Sequence, residues 1–248
     1  MPEIARNTWV IAKREFKAYF ATPLAAVFLT IFVALTGAFT FRLGGFFDRG
    51  IADLNPFFQY HTWLYLFLVP AVAMRLWAEE RKAGTIELLM TLPVSPWEAI
   101  LGKFLAAWAF LGVALLLTLP MWITVNVLGV PDNGVIFVSY IGSFLMAGAF
   151  LAIGSAVSAA TRNQVIAFIV AATLCFLLVM AGLDLVLNYV RNYIPGFVTS
   201  AVASLSFLTH FDRITKGVID LSSLVFYASL IVFALFANRV LVELKKAD

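Results

Sequence analysis

The sequence predicts an all-α integral membrane protein with six transmembrane helices. Three observations carry that prediction. Of its 248 residues, 62% are hydrophobic and only 12% are charged; six apolar stretches are long enough to cross a bilayer; and the basic residues gather on one side of them. A soluble domain carries about 45–50% apolar and about 25% charged residues, so this chain has more apolar surface than a core of its size can hide. A soluble enzyme, a disordered protein and a nucleic-acid binder are excluded on that ground. The formal net charge of +3 reads as basic membrane flanks. The one cysteine, Cys175, allows no intrachain disulfide.

Residues 1–22 open the chain as an interfacial helix. Trp9, Ala12, Phe16, Tyr19 and Phe20 recur at roughly helical spacing, and Arg6, Lys13, Arg14 and Lys17 supply a basic face. A helix of this length before a long apolar run is not the short basic tip of a cleavable signal peptide. A spanning helix needs about 20 mostly apolar residues, and six stretches qualify, at about 23–41, 57–77, 100–128, 135–160, 164–187 and 221–240. Pro70 falls inside the second, and Pro120 interrupts the third, where a kink or tilt is expected. With the N-terminus in the cytoplasm, six spans return the C-terminus there. Twelve basic residues then lie inside and five outside, as the positive-inside rule requires.

Between these spans the sequence marks four features. On the fourth span, Gly148, Ala152 and Ala156 recur at four-residue spacing, a small-residue packing face that serves either one chain or a dimer. A short turn, Thr161-Arg162-Asn163-Gln164, joins the fourth span to the fifth. The outer segment, 188–220, holds a turn at Pro195-Gly196 and then an apolar stretch over 197–207, too short to span, which reads as a re-entrant or interfacial helix. It ends in a polar stretch with His210, Asp212 and Asp220. One histidine beside one carboxylate is a weak metal signal, so the reading there is a polar helix cap with no metal.

Residues 78–99, AEERKAGTIELLMTLPVSPWEA, are the most informative. Gly84 breaks the preceding helix and Thr85 is placed to cap a new one. Ile86, Leu88, Leu89 and Met90 cluster beside Glu87, and Leu92-Pro93 ends the short helix. Ser95, Pro96 and Glu98 then form a capping box that starts the next. A short apolar-faced helix between two sharp stops suits docking into a groove on another protein. The chain has no phosphate-cradling loop and no HExxH, CxxC or GxSxG motif, so nothing marks it as catalytic. The sequence also places no carboxylate or histidine at mid-membrane, which argues against a self-sufficient channel or ion-coupled transporter.

The stretch from Met74 to Ser95, with Glu79-Glu80, Gly84-Thr85, Glu87, Leu89 and Pro93-Val94-Ser95, is similar to the E-E-x-x-x-G-T-x-E-x-L-x-x-x-P-[VIL]-[ST] segment of the ABC type-2 exporter permease superfamily. Gly102-Lys103 matches the G-K that follows it there. His210-Phe211-Asp212 and Gly217-Val218-Ile219-Asp220 resemble the gliding-motility (GldF-like) permease subgroup. The resemblance covers nearly the whole chain and implies one transmembrane permease domain over 1–248, with an N-terminal elbow helix and both termini cytoplasmic. It implies a separate ABC ATPase subunit that binds ATP and Mg, and no cofactor in this chain. Residues 85–92, within a coupling segment over 78–99, would be the coupling helix. ATPase-coupling contacts fall on Glu79, Glu80, Arg81, Gly84, Thr85, Glu87, Leu88, Leu89 and Pro93, with a second cytoplasmic contact at Arg162 and Asn163. The implied setting is the bacterial cytoplasmic (inner) membrane, multi-pass and among lipid. The implied membrane partner is a second permease copy or a GldG-type protein with a periplasmic domain. The expected function is ATP-driven export; the alternative is a force-transmitting or assembly complex that passes no solute.

Overall fold

A computed structural model describes residues 3–86, 94–183, 186–188, 196–218 and 220–244. Among them all regular structure is helical. The chain runs through α1 (Glu3–Phe20) and α2 (Pro23–Ala38), which continues into a π-helical turn, Phe39–Leu43. Next come α3 (Asn55–Phe58), α4 (His61–Ala73) and α5 (Arg75–Ala83). They are followed by α6 (Pro96–Leu116), α7 (Leu119–Leu128), α8 (Asn133–Ala160) and α9 (Gln164–Met180). The last helices are α10 (Gly196–Ser204), α11 (Phe207–Thr215) and α12 (Leu221–Leu244).

Among the described residues, four helical stretches are long and apolar enough to cross a membrane: Pro23–Leu43, Pro96–Leu128, Asn133–Ala160 and Leu221–Leu244. The other two apolar stretches of the sequence make shorter helices. One is divided at Met74 into α4, of 13 residues, and α5, of 9. The other, α9, has 17 residues and ends at Met180. The Pro120 kink is present and has a local cause. The proline ring strikes the carbonyl four residues back; that residue is Leu116, where α6 ends, and Pro120 sits in the first turn of α7.

The bundle exposes many large apolar side chains and buries several small polar ones. Val127, Ile169, Leu177, Val232 and Phe233 are exposed, while Thr62, Ser139, Ser143, Ser155, Ser158 and Asn238 are buried. Water would make that distribution unfavourable; lipid makes it the expected one. At the centre lies α8, which touches α4, α5, α6, α9, α11 and α12. Its small residues make those approaches possible. Gly148, Ala152 and Ala156 are buried within this one chain. A Cβ added at Gly148 would lie 2.8 Å from the Trp108 ring.

Candidate functional site

The site is assembled where α1, α5 and α6 meet. α1 runs alongside the first half of α6 in the same direction. Asn7 Nδ2 donates to Glu98 Oε1 at 3.2 Å, and Tyr19 stacks on Phe110 at 4.9 Å. Between them Gly102 admits Ile11, because a Cβ there would lie 2.6 Å from Ile11 Cγ2. The next residue, Lys103, is only 3% exposed. Its ammonium donates to Glu80 Oε1 at 2.6 Å, lies 3.4 Å from Glu15 Oε2, and sits 5.7 Å over the Trp77 ring. A buried ammonium is tolerable only when paired, so this one group ties three helices together. Burial works to raise the Glu15 pKa, but Lys103 and Arg14 outweigh it and hold the carboxyl below its ordinary value of 4.5.

From this tie the chain leaves and returns at two fixed ends. On the leaving side, Arg75 grips Glu79 through two nitrogens, at 2.9 and 3.2 Å. Gly84 ends α5 in the left-handed region with φ of 70°, a conformation glycine adopts without strain. Thr85 Oγ1 donates back to Glu80 O at 3.4 Å, and Arg81 is half-buried on α5. On the returning side the expected capping box is formed: Glu98 N donates to Ser95 Oγ at 3.3 Å and Ser95 N to Glu98 Oε2 at 2.6 Å. Arg239 of α12 lies over the Trp97 ring at 5.3 Å. Glu87, Leu88, Leu89 and Pro93 lie outside the described residues. Of the second contact, Arg162 is exposed, and Asn163 caps α9 by accepting from Val165 N at 2.9 Å.

The family model described as ABC-2 family transporter protein matches residues 9–237. That span takes in most of α1, the Lys103 tie, both ends of the 84–95 segment and most of α12. The chain belongs to the ABC-2 transporter family. No curated protein matches it. For an ABC-2 transporter chain, membership implies a membrane permease component that works with an ABC ATPase subunit.

Two neighbouring hollows lie beside the tie in this ABC-2 chain. A polar cavity of about 280 Å³ is lined by Glu15, Arg75, Glu79, Glu80 and Lys103. It shares Tyr19, Arg75 and Glu79 with an apolar groove of about 490 Å³ bounded by Leu24, Phe28, Ile31, Leu68 and Val72. On the far side, the three outer candidates do not converge. His210 is buried, hydrogen-bonded to Ser223 Oγ at 3.0 Å and Ser204 O at 2.9 Å, and stacked on Phe226 at 4.2 Å. Asp212 pairs with Lys216, while Asp220 pairs with Arg213 at 3.2 Å and receives Ser222. These are packing and capping contacts, and no group of three metal-ligating side chains occurs among the described residues.

One buried group went unassigned in the sequence. His61, at the start of α4, is fully buried; its Nδ1 meets Ser143 Oγ at 2.9 Å, and Tyr65 OH meets the same oxygen at 2.8 Å. Four-residue spacing places His61 and Tyr65 on one helix face, but Ser143 lies 82 residues further on and nothing local points to it.

Proposed function

We propose that the chain is the permease subunit of an ATP-binding-cassette exporter of the bacterial cytoplasmic membrane, driven by a separate ATPase subunit that binds ATP and Mg. In this reading the chain crosses the membrane six times as one domain with both ends inside, and α1 is its elbow helix. The observation that carries the reading is the Lys103 tie. A segment that pushes on a membrane bundle needs a stiff root, and Lys103 clamps the root of residues 84–95 to α1 and α6. With Glu80 engaged by Lys103, docking on the ATPase falls to Glu87, Leu88 and Leu89, supported by Arg162 at the α8–α9 turn. The chain itself contributes no catalytic group. A second permease copy, or a GldG-type membrane protein, would cover the exposed faces of α2 and α9 beside the apolar groove.

Purified from its native membrane in mild detergent, the tagged chain should bring down an ATP-hydrolysing subunit. Glu87→Lys combined with Leu88→Asp should uncouple that hydrolysis while leaving the chain folded and inserted. Recovery of the intact chain alone at every detergent strength would overturn the reading. A second reading, force transmission to a periplasmic partner without solute transport, is favoured by one observation. The buried hydroxyls of α8 are spent on other protein groups: Ser143 on His61 and Tyr65, Ser155 on Trp77 and Asn238, Ser158 on the α4–α5 backbone. Stimulation of ATP hydrolysis by a solute in proteoliposomes would decide for transport.

A further inference from the structure

We propose that Ser158 is the positioning residue that passes movement of α5 into the membrane bundle. The inference rests on the permease reading and deepens it. Its starting point is the division of one apolar stretch into α4 and α5 at Met74. At that division the fully buried Ser158 Oγ donates to Met74 O at 2.8 Å and accepts from Trp77 N at 3.1 Å and Ala78 N at 3.0 Å. A hydroxyl has one proton and two lone pairs, and here all three are used on the backbone of a neighbouring helix. A side chain inserted into the i→i−4 ladder is one of the few causes of a sharp helix bend. Pro70, one turn earlier, removes a further ladder bond from α4.

The insertion depends on a close approach one turn away. A Cβ at Gly154 would lie 2.4 Å from Ala73 Cβ, so only glycine lets α8 come this near the end of α4. Ser158 follows four residues later on the same face. A second contact strengthens the grip. Ser155 Oγ accepts from Trp77 Nε1 at 3.3 Å and from Asn238 Nδ2 at 2.7 Å, which joins α12 to the same point. Trp77 is thus held at its backbone and its indole by α8, with the Lys103 ammonium over its ring. The interruption at Met74, where Ser158 takes the Trp77 and Ala78 amides, weakens the ladder that would join α5 to α4 as one rod. The bonds to Ser158 and Ser155 couple α5 to α8 instead, and α8 touches most of the bundle.

The test compares wild type with Ser158→Ala, using the full chain with its ATPase subunit in lipid nanodiscs. Ser139→Ala is the control: Ser139 is equally buried on α8 but donates only to Val135 O of its own helix. Hydrogen exchange is followed with and without a non-hydrolysable ATP analogue, and thermal unfolding is recorded for each variant. Ser158→Ala should speed exchange at Trp77 and Ala78 about tenfold, the change expected from losing one ordinary hydrogen bond. In wild type the nucleotide analogue should alter exchange in both α5 and the second half of α8. Ser158→Ala should keep the α5 response and lose the α8 response, with KM for ATP unchanged and kcat shifted. Survival of the α8 response in Ser158→Ala, or its equal loss in Ser139→Ala, would overturn the proposal. If neither helix of the wild-type complex responds to nucleotide, the permease reading falls and takes the proposal with it, a failure visible without any variant.

Discussion

Lys103→Met is the most direct probe of the three-helix tie. Methionine keeps most of the apolar stem and removes the ammonium with its charge and its donors. At an effective dielectric constant of about 20, the 2.6 Å contact with Glu80 carries ~6 kcal/mol of attraction and the 3.4 Å contact with Glu15 ~5 kcal/mol, before desolvation. Desolvating the ammonium and two carboxylates takes back most of that, so the intact trio adds little net stability. Breaking it is different, because two carboxylates are left facing each other. Removing one partner of a buried pair costs about 3–5 kcal/mol. Glu15 and Glu80 keep 20% and 21% of their side-chain exposure and recover some hydration, which lowers the expected loss to about 2–3 kcal/mol. Unfolding of the purified chain in mixed micelles, followed by tryptophan fluorescence, measures it. The double variant Lys103→Met/Glu80→Gln should be more stable than Lys103→Met alone, since it leaves no orphaned charge at the 2.6 Å contact. The electrostatic account is refuted if Lys103→Met lies within about 0.5 kcal/mol of wild type, or if the two substitutions are simply additive.

Three further changes test other parts of the frame. Ser95→Ala removes half of the capping box and should cost about 1 kcal/mol, read as faster exchange of the Glu98 amide, with the rest of α6 unaffected. Gly148→Val forces atoms into the Trp108 ring, which a Cβ alone would approach to 2.8 Å, and should cost about 1–3 kcal/mol by denaturant titration. Acid should loosen the α1–α6 contact. The Glu15 pKa is held below 4.5 in the folded chain, so its contribution is fully present above the unfolded value and is lost as pH falls through the folded one. Melting temperatures measured through pH 5 to pH 3 should therefore fall less in Glu15→Gln than in wild type.

What the sequence revealed, and what it hid, divides by distance along the chain. The α5 stop at Gly84, the capping box at Ser95 and Glu98, and the break before Pro120 were all legible, because each is set by residues within one turn. The apolar stretches were legible for the same reason, as bulk composition. The division at Met74 was not. Its cause, Ser158, lies 84 residues away, and the stretch around Met74 reads as one continuous span. The acidic pair Glu79-Glu80 illustrates both cases. Glu79 finds Arg75 four residues back, a pairing visible in the sequence. Glu80, an ATPase-coupling contact by the family resemblance, finds Lys103, 23 residues on, a partner that no local spacing marks. His210 reads in the sequence as a polar helix cap, and the fold adds that Ser204, Ser223 and Phe226 enclose it.

His61 offers a way to separate packing from proton chemistry inside the bundle. It lies among Phe32, Phe57 and Phe58, and its Nε2 has no hydrogen-bond partner among the described residues. An unpartnered buried nitrogen adds nothing to stability, and Ser143 keeps Tyr65 when the imidazole is gone. His61→Leu replaces the ring with a smaller apolar group in apolar surroundings, and its cost should stay under about 1.5 kcal/mol. Ser143→Ala is a smaller change with a larger effect. It strands His61 Nδ1 and Tyr65 OH together, at about 1–3 kcal/mol for each buried group left unsatisfied. The serine, not the histidine, is therefore the expected weak point, by unfolding in mixed micelles and by ATP hydrolysis of the assembled complex. A proton-carrying role for His61 reverses that order: His61→Leu would then abolish activity at unchanged stability, while Ser143→Ala would only shift its pH dependence. Measuring both variants in the same complex decides between a histidine that packs and one that titrates.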